Sequence, residues 1–156
     1  MYRSELITMT EAGAGLIVGT VGPDGEPRAT RAWSLAAVDD VPGRVRVAVT
    51  ADDDVTLRNL RGGLVAVTAA NVRDLRSVQV KGRVISVSAP TEADRRVAED
   101  QTERFLRGVH ETDGNPLEAL RRMLPHSMVM VEIDVSDAFD QTPGPVAGSE
   151  LGVVPA

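Results

Sequence analysis

Apolar and polar side chains alternate with a period of two through Ser77-Val78-Gln79-Val80-Lys81-Gly82-Arg83-Val84. The same period recurs at Val45, Val47 and Val49, and at Val129, Val131, Ile133 and Val135. It predicts strands with one face in a core and the other lined by hydrogen-bonding groups. Strands are predicted at 16–21, from Pro27 to Val38, and at 44–50, 64–69, 77–88 and 128–139. The first two are joined by Gly22-Pro23-Asp24-Gly25, where Pro fixes φ and Gly supplies a positive φ, so they form a hairpin. Asp39-Asp40-Val41-Pro42-Gly43 is a second turn.

Helical signals interrupt this pattern. Ser4 is placed to cap a short helix carrying Leu6, Ile7 and Met9 and ending near Gly13. Asp52-Asp53-Asp54 heads a helix whose buried side holds Leu57 and Leu60, with Gly62-Gly63 at its end. Thr91 caps a helix running to about Val109, with a thin apolar stripe of Val97, Phe105, Leu106 and Val109. Asn115-Pro116 opens another, with Pro at the first helical position, and Pro125 closes it. The expected fold is mainly β with peripheral helices. Six strands joined largely by short turns, each with one apolar face, close most simply into an antiparallel barrel. Residues 1–141 make the barrel domain. Residues 142–156, rich in Pro and Gly, make an irregular tail.

The bulk numbers narrow the function. The 156 residues, 42% hydrophobic, fit one domain of ordinary size. No apolar run is long enough to span a membrane, and the start carries no basic segment followed by an apolar one, so no secretory leader is expected. Without cysteine there is no disulfide, thiolate or zinc–sulfur chemistry. A cytoplasmic location fits. The net charge of −6 and the 3% aromatic content argue against a nucleic-acid partner, which needs basic residues and stacking rings. Arg44, Arg46, Arg58, Arg61, Arg73, Arg76, Lys81 and Arg83 nevertheless gather in the middle third, and Lys81 is the only lysine. A local anion site is therefore open.

Common catalytic signatures are absent. Asp52-Asp53-Asp54 lacks calcium-loop spacing, and His110 and His126 lie in no zinc-binding pattern, so no metal site is assigned. Gly13-Ala14-Gly15 precedes a strand instead of linking strand to helix, as a dinucleotide loop would. No nucleophile motif is present, and no catalytic residue is assigned.

Three segments retain functional interest. The first is Thr30-Arg31-Ala32-Trp33, where alternation puts Arg31 and Trp33 on one face together with Leu35. A lone Trp reads as a core or interface anchor, and a buried guanidinium beside it needs an anionic partner, either a carboxylate of a second subunit or a cofactor phosphate. The second is Thr50 to Arg58, a strand end entering a helix, read either as simple capping or as a phosphate cradle. The third is Gln141-Thr142-Pro143-Gly144-Pro145, which continues directly from a strong strand.

With Gly19-Thr20-Val21, Asp24-Gly25-Glu26-Pro27, Asn59-Leu60 and Gln79-Val80-Lys81-Gly82-Arg83, these segments resemble the pyridoxamine 5′-phosphate oxidase-like, FMN-binding split-barrel family over roughly residues 12–148. The resemblance implies a homodimer with two cofactor sites at the subunit interface and a small-molecule substrate. It implies that Thr30, Arg31, Ala32 and Trp33 line the flavin. Thr50, Thr56 and Arg58 would face the ribityl-phosphate, and Ser77, Gln79 and Lys81 would come from the fifth strand. The family has Arg where Thr30 aligns, Lys where Thr56 aligns and Gln where Ser77 aligns. The implied protein is a flavin-dependent oxidoreductase. The alternatives are a non-catalytic barrel binding flavin, deazaflavin or haem, and a structural dimer that has lost its cofactor.

Overall fold

The computed structural model describes residues 2–39 and 41–152; Asp40 of the second predicted turn and residues 153–156 of the predicted tail lie outside that set. The chain runs α1 (Tyr2–Glu11), β1 (Ala14–Val21), β2 (Pro27–Ala37), β3 (Arg44–Thr50), α2 (Asp54–Gly62), β4 (Leu64–Asn71), β5 (Ser77–Ser88), α3 (Glu92–Asp113), α4 (Leu117–Arg121), β6 (Met128–Asp140) and β7 (Glu150–Leu151). All six predicted strands form. They hydrogen-bond in the order β3-β2-β1-β4-β5-β6, and a β3–β6 pairing closes the barrel. Every pairing is antiparallel. The fold is the six-stranded split barrel expected from the alternation.

The interior is built from the apolar set of that alternation. Val18, Val47, Val49, Val67, Val80, Val131 and Ile133 are at most 1% exposed and form one cluster. Leu60 of α2 joins it from one end, and Leu6 and Met9 of α1 complete it. A second cluster lies outside the barrel, where α3 packs Ala98 against Trp33, Ala48 and Met130. Arg46 anchors the start of α3: it donates two hydrogen bonds of 2.8 Å to Asp94 and one of 2.8 Å to Glu132. A reciprocal capping box of Thr91 and Asp94 precedes it.

Local details depart from the sequence reading. The first helix begins at Tyr2, so Ser4 lies inside it and not at its cap. Pro116 stands one position earlier than expected, at the cap of α4. The α3 helix continues four residues past the predicted end, to Asp113, where Gly114 adopts φ 73° and terminates it. The tail is not wholly irregular: β7 pairs with β6 through Ala138↔Leu151 and Phe139↔Glu150.

The most consequential departure is in β2. Its pairing with β3 shifts register between Ala32 and Ser34, a β-bulge centred on Trp33. Strict alternation would put Leu35 on the face of Arg31 and Trp33. The inserted residue turns Leu35 inward, into the core cluster beside Ala32, and leaves Trp33 outside beneath α3.

Candidate functional site

Because Leu16, Val18, Val67, Val78 and Val80 fill the core, their neighbours face outward. Register pairs on the outer surface run Arg31↔Ile17↔Thr68↔Gln79 and Ala29↔Gly19↔Ala66↔Lys81. The result is a four-stranded wall, β2-β1-β4-β5, with small and apolar side chains at its centre. Ile17, Val21, Leu64 and Ile85 are 42%, 47%, 58% and 47% exposed. A shallow, mostly apolar groove of about 940 Å³ runs across this wall from Pro27 and Ala29 on β2, past Lys81 and Arg83 on β5, to Asp134 and Asp137 on β6. Across three strand spacings the β2 and β5 rims of the wall stand roughly 14 Å apart.

The predicted site residues fall into three places. Arg31, Gln79 and Lys81 lie on the outer wall. Arg31 is exposed, with its guanidinium 6.0 Å from the Phe105 ring centroid. An aromatic face, and not a buried anion, is its neighbour. The Lys81 ammonium sits 4.7 Å from the Phe139 centroid, and Gln79 donates to the Thr68 hydroxyl at 2.9 Å. Ser77 shares this face but is buried beneath the start of the tail: its amide donates to Thr142 Oγ1, and its carbonyl accepts from the Gln141 amide.

Trp33 and Thr50 form the second place, under α3. The indole N–H donates to Thr50 Oγ1 at 2.8 Å, and Thr102 donates to the Trp33 carbonyl at 3.1 Å. A cavity of about 390 Å³ between Trp33, Leu106, Leu124 and Met128 opens beside them. Ala32 faces the core from the same strand.

The third place is the mouth of the barrel at the start of α2, and here one predicted phosphate ligand, Thr56, is already engaged. Thr56 is fully buried and donates its hydroxyl to Asp53 Oδ2 at 2.7 Å. Asp53 Oδ1 accepts from the amides of Val55 and Thr56 at 3.1 and 3.2 Å, and Arg28 Nε donates to Oδ2 at 3.0 Å. Partial burial pushes the Asp53 carboxyl upward, but the bonds from Thr56 and Arg28 outweigh it and hold the group below its usual range. Thr30 lies on the same inward row of β2 as Arg28, opposite Val18. Arg58 is exposed and has no carboxylate partner among the described residues. Asn59 donates to Thr20 Oγ1 at 3.3 Å, while its Oδ1 is buried without a partner.

Sequence reasoning missed Arg28 and Asp53. A basic residue on the inward row of a strand, with an Asp at a predicted cap, was the available signal; only the fold shows that they meet. The basic residues of the middle third are partly consumed by pairing, Arg44 with Asp134, Arg46 with Asp94 and Glu132, and Arg73 with Glu111.

No family model matches the chain, and no curated protein is similar to it in sequence. Solved structures are similar to it in fold. An F420 reductase aligns with a TM-score of 0.56 at 18% identity, over 84% of this chain and 93% of that one. General stress protein 26 from Bacillus anthracis aligns at 0.54 and 13%, over 97% and 98%. A Clostridium acetobutylicum protein related to general stress protein 26, described as of the pyridoxinephosphate oxidase family, aligns at 0.52 and 11%, over 91% and 89%. These likenesses define the class: the chain has the split-barrel fold of pyridoxamine 5′-phosphate oxidase-like proteins. No described helix is long and apolar enough to cross a membrane.

Proposed function

We propose that the chain is a flavin-type oxidoreductase of a small molecule, holding an isoalloxazine ring in a groove shared between two copies. The carrying observation is the outer wall. Arg31 stands on its β2 rim and Ser77, Gln79 and Lys81 on its β5 rim, with exposed Ile17, Val21 and Leu64 between them. These rims are too far apart for one copy to close both on a single ring. A two-fold axis running along the strands through this apolar face sets the β2 rim of each copy against the β5 rim of the other. Two equivalent clefts result, each with Arg31 from one copy and Gln79 and Lys81 from its partner. The apolar centre has the character of an interface core.

The residues fit a flavin unevenly. The wall offers an apolar floor and hydrogen-bonding groups for a ring. The Thr50–Arg58 segment fits a phosphate poorly: Asp53 already holds the Val55 and Thr56 amides and the Thr56 hydroxyl, and only Arg58 has no carboxylate partner among the described residues. When bound, an isoalloxazine would supply hydride acceptance; the chain would supply orientation and charge. A deazaflavin suits the same groove, as the F420 reductase likeness supports. The second reading, a non-catalytic carrier of flavin, deazaflavin or haem or a dimer without cofactor, is favoured by the occupied donors at α2 and by the lack of an assigned acid or base on the wall.

The test is a visible spectrum of the purified protein before and after incubation with FMN, riboflavin or a deazaflavin and desalting, run alongside light scattering. Retained flavin bands in a dimer support the reading, and turnover with a reduced nicotinamide cofactor separates enzyme from carrier. A colourless dimer indicates the empty-barrel alternative.

A further inference from the structure

We infer that Asp53 is a built-in anion that closes the mouth of the barrel to a ligand phosphate, so that the groove takes a flavin-type ring without a phosphate at this point. This rests on the flavin reading of the groove and specifies its ligand class. Four donors converge on one carboxylate: the Val55 and Thr56 amides, the Thr56 hydroxyl and the Arg28 guanidinium, at 2.7–3.2 Å. Amides at a helix start, a hydroxyl and a guanidinium are the donor types that hold a phosphate. Here the chain itself satisfies them. The Asp53 side chain is only 16% exposed, so it does not swing aside without leaving Arg28 and Thr56 unpaired.

The surroundings reinforce the exclusion. Asp52 stands next in sequence and accepts from the Ser127 hydroxyl at 2.8 Å; Asp54 lies in the first turn of α2. An incoming phosphate would have to displace Asp53 and then sit between like charges. The outer-wall cations Arg31 and Lys81 have no ion-pair partner among the described residues and lie on the rims of the wall, with Asp137 opposite Lys81 across the β5–β6 ladder.

Thermal melting of the full chain in phosphate and in chloride, at one pH and matched ionic strength, tests this directly. The wild-type protein should show no rise in phosphate beyond the general stabilisation a kosmotropic anion gives, which an Asp53-independent control, Ile17→Glu, measures under the same conditions. Asp53→Ser keeps a good capping hydroxyl and removes the charge; its rise from chloride to phosphate should exceed that of the wild type. Asp53→Asn keeps the shape and serves if the serine variant folds poorly. In a second arm, equilibrium dialysis compares FMN with riboflavin. The wild type should bind riboflavin at least as tightly, and Asp53→Ser should shift the preference toward FMN by about tenfold, one additional charge-assisted contact. A rise in the wild type beyond that of the control, no rise in either variant beyond that of the wild type, or tighter FMN binding by the wild type overturns the inference. If neither flavin binds, the flavin reading fails and the melting arm still decides the role of Asp53.

Discussion

The Trp33 indole N–H and the Thr50 hydroxyl are joined by a 2.8 Å hydrogen bond that ties the bulge of β2 to the last residue of β3. Trp33 is the only tryptophan in the chain, so the bond has a private spectroscopic reporter. Thr50→Val keeps the shape and removes the acceptor, leaving a largely buried N–H unpaired. The expected cost is about 1–2 kcal/mol in urea unfolding. Trp33 emission should shift to the blue as the bond is lost; an unchanged spectrum and stability would remove the bond from the account of the bulge.

The Arg46 guanidinium links β3, β6 and the first turn of α3, and its hydrogen bonds to Asp94 hold that carboxyl far below its usual range. A carboxyl lowered in the folded state contributes stability that is complete above its unfolded pKa and lost as pH falls. The window therefore opens below the ordinary value of 3.8. Arg46→Met strands Asp94 and Glu132 and should cost about 3 kcal/mol at neutral pH. Its penalty should shrink between pH 4 and lower values as Asp94 protonates, read from denaturant midpoints across pH.

Gly82 lies at a second bulge, where a Cβ would drive into the backbone carbonyl of Asp134 on β6. Gly82→Ala should therefore cost about 3 kcal/mol or more, because backbone must move. Gly25, in the β1–β2 turn, has φ +79° but open space around it. Gly25→Ala should cost only about 1–2 kcal/mol, the strain of the left-handed conformation. Paired chemical melts that failed to separate the two would place the constraint elsewhere.

Ile17 lies at the centre of the open wall, opposite Arg31 and Thr68. Ile17→Glu puts a charge where two copies are proposed to meet, at no cost to the barrel core. Light scattering should then report monomer, and circular dichroism an unchanged fold. A dimer that persisted would move the interface to another face.

The barrel was legible because its signal is local: a period of two in Val45–Val49, Val78–Val84 and Val129–Val135 needs only the sequence to place one face inside. Turn chemistry at Gly22–Gly25, the helix start at Asp52-Asp53-Asp54 and the Thr91 cap were legible for the same reason. The bulge at Trp33 was not, since its cause is the match between β2, β3 and the overlying α3, all distant in sequence. The mouth of the barrel illustrates the limit best. The resemblance points Thr56 toward a phosphate, and the run Asp52-Asp53-Asp54 reads only as a helix start. That Arg28 reaches Asp53 from 25 positions away is a property of the closed barrel.

The bulge leaves one mark that bears on how the chain evolves. Beyond Ala32, β1 no longer pairs with β2, and the Gln101 side chain takes its place, accepting from the Leu35 amide at 2.9 Å and donating to the Leu35 carbonyl at 3.0 Å. A single amide thus behaves as a strand one residue long, and it checks the count of residues in β2. Loss of one residue between Ala32 and Leu35 would turn a polar neighbour into the core and slide the Gln101 clasp onto the wrong peptide. Compensation would have to come from α3, so the two segments are bound to vary together.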